Sequence, residues 1–268
     1  MSDGFSVRVL SGFFITTIFA LVLLQRLPII NGIGLAGVAG LAWFFHKEKL
    51  NQWLRTWLFL LLVSLAFWTA TYKPQGFSYP LLMSLSDESG LTTRYELFVN
   101  FSKAICGFIL LYFLWPKRHK EEFVAPARYQ LLVALLAPAI IIGVAIPVLD
   151  LQVQLKQLEQ ILLFASANLL VICIAEEAFM RFLFQQNIRN AVARFTGNGW
   201  LRELIPLLLV TAIFVMIHSG LSGPAIWIYA LAGFLYGLSY TLSKNIFYPI
   251  IIHFSVNQIH FSFFTYPL

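Results

Sequence analysis

The stretch Ile172-Cys173-Ile174-Ala175-Glu176-Glu177-Ala178-Phe179-Met180-Arg181 decides how the chain is read. It sets two adjacent carboxylates and a guanidinium inside an apolar run long enough to cross a bilayer. An ionised side chain at that depth costs at least about 2.5–3.5 kcal/mol, so it persists only when paired, neutralised or facing a wet cavity. Helical spacing sorts the three charges. Glu177 and Arg181 are four residues apart and share a face, which predicts a buried ion pair. Glu176 is turned about 100° from Glu177 and about 140° from Arg181. The arginine therefore serves the second glutamate, and the first is expected to point elsewhere without a partner. Such a carboxylate is a candidate general base. A structural ion-pair network or a transport relay is the competing reading of the same residues.

Composition sets the class around this segment. The 268 residues are 59% hydrophobic and 11% charged, whereas soluble domains carry about 25% charge. The expected fold is all-α, a polytopic transmembrane helix bundle, because the alternation of an outer-membrane barrel is absent. Nine spans are expected, roughly over 9–24, 28–45, 53–71, 98–115, 129–149, 161–184, 204–219, 224–242 and 246–266. The first is read as a retained helix, since no small-residue cleavage site follows it and Gln25-Arg26 leads straight into the second. Of the 18 Lys and Arg residues, twelve then fall on the first side and five on the opposite side, with Arg181 inside. That asymmetry predicts a cytoplasmic N-terminus. The net charge of +6 lies in short runs between spans, where it meets lipid headgroups rather than nucleic acid. A bacterial plasma membrane is the expected location. Cys106 and Cys173 both sit in apolar helices, where a filler role outweighs a reactive one.

The connections carry further expectations. Residues 73–96, with Pro74, Gly76, Pro80 and Gly90, read as an external loop or lid. Leu151, Leu155 and Leu158 recur among glutamines and predict a short amphipathic helix on the outer interface. Residues 185–200 end in Thr196-Gly197-Asn198-Gly199, a cytoplasmic extension closed by a turn. Pro138 and Pro147 mark a kinked packing helix.

The histidines supply groups for Glu176 to meet. His46 and His119 stand beside lysines in loops and read as solvated. His218 follows Phe214 by four residues, and His253 precedes Asn257 by four, so that imidazole and amide share a face. His260 continues that face and is left outside the reacting set. Pro249 is expected to free the Asn245 carbonyl and kink the helix beside a cavity. Gly233 and Gly237 allow a neighbouring helix to come close.

Glu176-Glu177-x-x-x-Arg181, Phe214-x-x-x-His218, a Gly-x-x-x-Gly helix and His253-x-x-x-Asn257, in that order, resemble the CAAX-prenyl-protease and bacteriocin-processing (CPBP, or Abi) family of intramembrane endopeptidases. The similarity covers about residues 161–259. Residues 1–160 carry no readable family motif, and 161–268 form the CPBP-like helical core. The arginine of this family is usually followed by glycine, whereas Phe182 stands here and is expected to reshape the cavity floor. The resemblance implies hydrolysis of a membrane-associated or lipid-anchored protein or peptide. Glu176 would be the general base, with His218 orienting the water and His253 and Asn257 stabilising the oxyanion. Glu177 and Arg181 would play a supporting part. A metal variant would use Glu176, His218 and His253 as ligands of a divalent ion such as zinc. The metal-free reading is preferred, since the His-Glu-x-x-His helix pattern is absent. Two alternatives compete. Gly220-Leu221-Ser222-Gly223 resembles the serine motif of rhomboid proteases, with His253 as base. A non-catalytic transporter or immunity-type membrane protein would use the glutamates for coupling, but a transporter calls for an inverted repeat that the first half lacks.

Overall fold

The structure is a computed structural model describing residues 3–45, 50–85, 95–115, 124–218 and 223–266. Those residues form nine helices and one short hairpin. The helices are α1 (Asp3–Leu23), α2 (Ile29–Phe45), α3 (Gln52–Thr71), α4 (Phe101–Phe113) and α5 (Ala127–Val148), followed by α6 (Leu158–Val192), α7 (Gly199–Ile217), α8 (Ala225–Ser243) and α9 (Phe247–Phe263). Each of the nine expected stretches falls on one of them. Five, α3 and α5 to α8, are long and apolar enough to cross a membrane. They also leave their apolar side chains uncovered: only 17% of the α3 window and 22% of the α7 window are buried. Trp53, Leu135 and Trp227 are each more than 70% exposed. Apolar surface on that scale needs lipid, and the protein is an integral membrane bundle.

Caps explain several helix starts. The Asn51, Asn100 and Asn198 side chains accept backbone N–H groups from the first turns of α3, α4 and α7. Pro249 lies in the first turn of α9, where a missing N–H costs nothing. The expected kink is therefore corrected: the Asn245 carbonyl accepts the Tyr248 N–H at 3.4 Å.

The 73–96 connection holds more order than a loop. Leu81–Leu85 (β1) pairs antiparallel with Tyr95–Phe98 (β2). Met83, Leu85 and Leu97 of this hairpin pack on Phe164 and Phe261, tying it to α6 and α9. The amphipathic helix expected at Leu151, Leu155 and Leu158 is also corrected. Residues 151–157 run extended, and Gln154 and Lys156 donate their N–H groups to the carbonyls of Phe263 and Ser262. Pairing with the end of α9 satisfies those backbone groups, so helix formation gains nothing there.

Helix α6 positions the site. Its 35 residues give a rod of about 50 Å, continuing past the expected end at residue 184. Two wide π-helical segments, Asn168–Cys173 and Ala178–Gln185, flank one regular turn, Ile174–Glu177. The Ile174 N–H donates to Leu169 and the Gln186 N–H to Arg181, each five residues back. Both glutamates therefore stand on a short α-turn between two widened ones, a distortion common at functional sites. Gly107 fixes what faces them. A methyl group added there would lie 2.3 Å from the Ala175 Cα, so the α4 and α6 backbones touch. Gly233 and Gly237 leave room on α8 for side chains, the former for Phe214 of α7 and the latter for Leu207 and Arg181.

Candidate active site

The two glutamates have opposite surroundings. Glu177 is fully buried and both oxygens are engaged: Oε2 accepts from Arg181 Nε at 2.8 Å and Oε1 bonds His253 Nδ1 at 2.8 Å. The expected Glu177–Arg181 pair is thus present. It continues one more helical step, since Arg181 Nη1 donates to Gln185 Oε1 at 2.8 Å. Gln185 then donates to the Gly237 carbonyl and the Thr241 hydroxyl of α8. A buried charge pair stays in place only when its remaining hydrogen-bonding capacity is met, and this chain of donors meets most of it.

Glu176 is a correction. It was expected to lack a partner, but Lys103 of α4 donates from Nζ to its Oε1 at 2.6 Å. The glutamate and lysine side chains are 20% and 28% exposed, so the pair stands in a cavity rather than in the packed core. Oε2 faces His253 Nε2 across 3.9 Å, too far for a direct hydrogen bond. Lys103 lies one turn from Gly107 on the same face of α4. The close approach at Gly107 is what brings the ammonium to the glutamate.

His253 is held from three sides. Glu177 fixes Nδ1, Tyr236 stacks on the ring at 4.8 Å and 18°, and Phe214 meets it edge-on at 6.3 Å. Nε2 is left facing the cavity. Asn257, one turn on, donates to Asn168 Oδ1 at 3.0 Å, and Asn168 in turn donates to the Phe254 carbonyl. One Asn257 N–H remains uncommitted. Cys173 donates its thiol to Asn168 at 3.1 Å and is wholly buried, which gives it a packing role. His218 caps the end of α7. Its Nδ1 lies 2.7 Å from the Phe214 carbonyl and its ring packs on Phe214 and Tyr229.

Glu176, His218, His253 and Asn257 all line one cavity of about 340 Å³, walled by α5 to α9. Tyr229, Tyr236 and Tyr266 supply its aromatic side. His260 also borders it, but its Nε2 is bonded to the Thr265 carbonyl at 3.1 Å. A second cavity of about 330 Å³ lies between α3, α4, α6 and α7, and includes Lys103. Glu176 and His218 line both, so the two spaces meet at those residues. Phe182 borders neither. It is buried with Trp115 and Tyr240 as neighbours at 5.6 and 6.3 Å, so it does not shape the cavity floor as expected.

Among the described residues no three His, Cys, Asp or Glu side chains gather closely enough to hold an ion. The Lys103 ammonium already occupies the cationic position on Glu176. His46, His119 and Ser222 lie outside the described residues. Sequence reasoning missed Lys103, Asn168, Gln185 and Tyr236. Gln185 was legible as the next i+4 step after Glu177 and Arg181. Lys103 was legible as a cation in the first turn of a helix, where the helix dipole opposes it and an acidic partner is called for.

No curated protein and no solved structure matches the chain. One family model does, over residues 158–259, which include the glutamates, both histidines and Asn257. Over those residues the chain is similar to the family described as type II CAAX prenyl endopeptidase Rce1-like.

Proposed function

We propose that the protein is an intramembrane endopeptidase that hydrolyses an amide bond near a lipid anchor or hydrophobic segment of a protein or peptide. The Rce1-like match implies CAAX-type membrane protease activity. The observation that carries the finer reading is the single cavity bordered by Glu176, His218, His253 and Asn257. In this reading Glu176 takes a proton from a water molecule, and the resulting hydroxide adds to the scissile carbonyl carbon. His218 orients that water. His253, oriented through Nδ1 by Glu177, and the second Asn257 N–H donate to the oxyanion. Glu176 then passes its proton to the amine nitrogen as the C–N bond breaks, leaving a carboxylic acid and an amine. The apolar walls exclude bulk water and accept the substrate's apolar part. The 3.9 Å gap between Glu176 Oε2 and His253 Nε2 is suited to groups that act on one reacting water without bonding each other.

The test is cleavage of a peptide panel by the full chain in lipid nanodiscs, read by mass spectrometry. The panel holds farnesylated, geranylgeranylated, palmitoylated and unmodified hydrophobic peptides. The expected result is a product pair from at least one lipidated peptide, with Ser222→Ala as active as wild type. No cleavage across the panel would reject the proposal, and loss of cleavage in Ser222→Ala would turn it toward a serine mechanism. The serine reading is disfavoured because it leaves the Glu176 carboxylate, which borders the cavity beside Lys103, without a part.

A further inference from the structure

We propose that residues 151–157 form an edge strand that holds the substrate by backbone hydrogen bonds, the peptide leading out of the active-site cavity pairing there in extended form. This rests on the endopeptidase reading and adds to it how the chain beyond the scissile amide is gripped.

Three features of the molecule point there. The first is a row of unused backbone groups. Residues 151–157 run extended, and one edge is closed on the end of α9: Gln154 and Lys156 donate to the Phe263 and Ser262 carbonyls, and the Gln152 carbonyl accepts the Thr265 N–H. Val153 stands opposite Phe264 between two of those bonds. Its own N–H and C=O therefore point away from α9, and so do those of Leu155 two residues on. Among the described residues these four groups take no hydrogen-bond partner. Their spacing is the one that another strand matches.

The second feature is an unguarded edge. Exposed edges are commonly blunted by charge or proline. Within 151–157 the one charge is Lys156, and its ammonium is folded back onto Gln154 Oε1 and the Phe264 carbonyl at 2.7 and 3.0 Å. What the segment turns outward is Val153 and Leu155, 76% and 71% exposed. Lipid tails could cover those side chains but offer nothing to the backbone row. An extended peptide with apolar side chains meets both.

The third is continuity with the cavity. Leu149 and Leu151, which lead into the strand, line the space that holds Glu176 and His253, and so do His260 and Tyr266 on the α9 side. Along α9, the distance from His253 to Phe263 is about 15 Å. An extended chain covers that in about four or five residues. The paired segment would lie that far from the scissile amide.

The experiment is disulfide trapping in lipid nanodiscs, using the full chain with Val153→Cys or Leu155→Cys. Both native cysteines are buried, so the new thiol is the accessible one. The two positions are exposed, and changes there leave folding intact. The probe is a farnesylated twelve-residue peptide of alternating valine and threonine, with one free cysteine moved through it position by position. Facing residues of paired strands come within disulfide range, while their immediate neighbours point to the other face. The expected yield rises and falls with a period of two along the peptide, by about fivefold or more, and the strongest position in Leu155→Cys is displaced by two from that in Val153→Cys. Peptides N-methylated at alternate residues, in one phase or the other, complete the test: one phase loses the maxima because its N–H groups face the strand, and the other keeps them. No trapping, trapping without periodicity, or a pattern that survives both N-methylated phases overturns the proposal. So do disulfide-linked dimers of the chain in place of peptide adducts, which would make the edge an interface between copies. Periodic trapping by a chain that cleaves no peptide would leave the edge standing while the endopeptidase reading fell. Cleavage without periodic trapping would do the reverse.

Discussion

Two regions of the molecule meet at consecutive residues, and they differ in nearly every respect. Behind Glu177 lies a closed polar core in which Arg181, Gln185, Thr241 and His253 are buried and bonded to one another. In front of Glu176 lie two cavities, the Lys103 ammonium and a histidine ring nitrogen without a direct bond to the carboxylate. One backbone step separates a carboxylate enclosed by buried partners from one that borders two cavities and that the proposed mechanism makes the base. A buried charge with most of its partners in place is a structural element, whereas a charge bordering a cavity with few partners keeps the freedom to exchange a proton. The residue type is the same; the neighbours assign the role.

The largest effect should come from breaking the closed side. Glu177→Gln or Arg181→Met leaves an uncompensated buried charge and is expected to cost about 3–5 kcal/mol of stability, seen as a lower melting temperature in micelles. Equal melting of Glu177→Gln and Glu176→Gln would erase the distinction drawn between the two regions. On the open side, His253→Ala or Asn257→Ala is expected to raise the barrier to cleavage by about 2.7–4 kcal/mol while leaving the melting temperature nearer that of wild type. Gly107→Ala probes the join between the regions. Its new methyl would meet the Ala175 backbone, and overpacking of this kind costs about 1–3 kcal/mol. Because α4 would be pushed from α6, the Lys103–Glu176 contact should lengthen as well, which a cross-linking or distance measurement between those helices would register. The smallest change is expected from Asn168→Ala. It removes the acceptor that orients Asn257 and should lower the turnover rate by about 0.5–1.5 kcal/mol of barrier, with the substrate KM unmoved.

The closed region was the more legible of the two in the sequence. Glu177, Arg181 and Gln185 follow a four-residue repeat that any helix reads the same way, and an intramembrane charge pair has few other solutions. The spacing of His253 and Asn257 likewise placed both on one face of α9, and both border the cavity. What the sequence hid was long-range pairing. Lys103 is distant along the chain from Glu176, and counting it as one of the outer-side cations concealed its inward direction. Its position in the first turn of α4 and the glycine one turn later were the available signals. The π-helical turns of α6 left no such trace, because no residue type specifies an i+5 bond; they arise from how α6 packs against its neighbours. The hairpin at Leu81–Leu85 and Tyr95–Phe98 was missed because its strands are short and the intervening turn residues dominate the pattern. Extended pairing of residues 151–157 with the end of α9 overrode an apolar repeat that had pointed to a helix.

The central claim is that the Glu176 carboxylate activates the water that cleaves the substrate. Its most direct test is the cleavage rate of Glu176→Gln against wild type, on the same lipidated peptide and in the same nanodiscs, with melting temperatures recorded alongside. The account predicts a rate lower by about 10²–10⁴-fold, the usual contribution of a general base, in a variant that melts as wild type does. A folded Glu176→Gln protein that cleaves at the wild-type rate would contradict it.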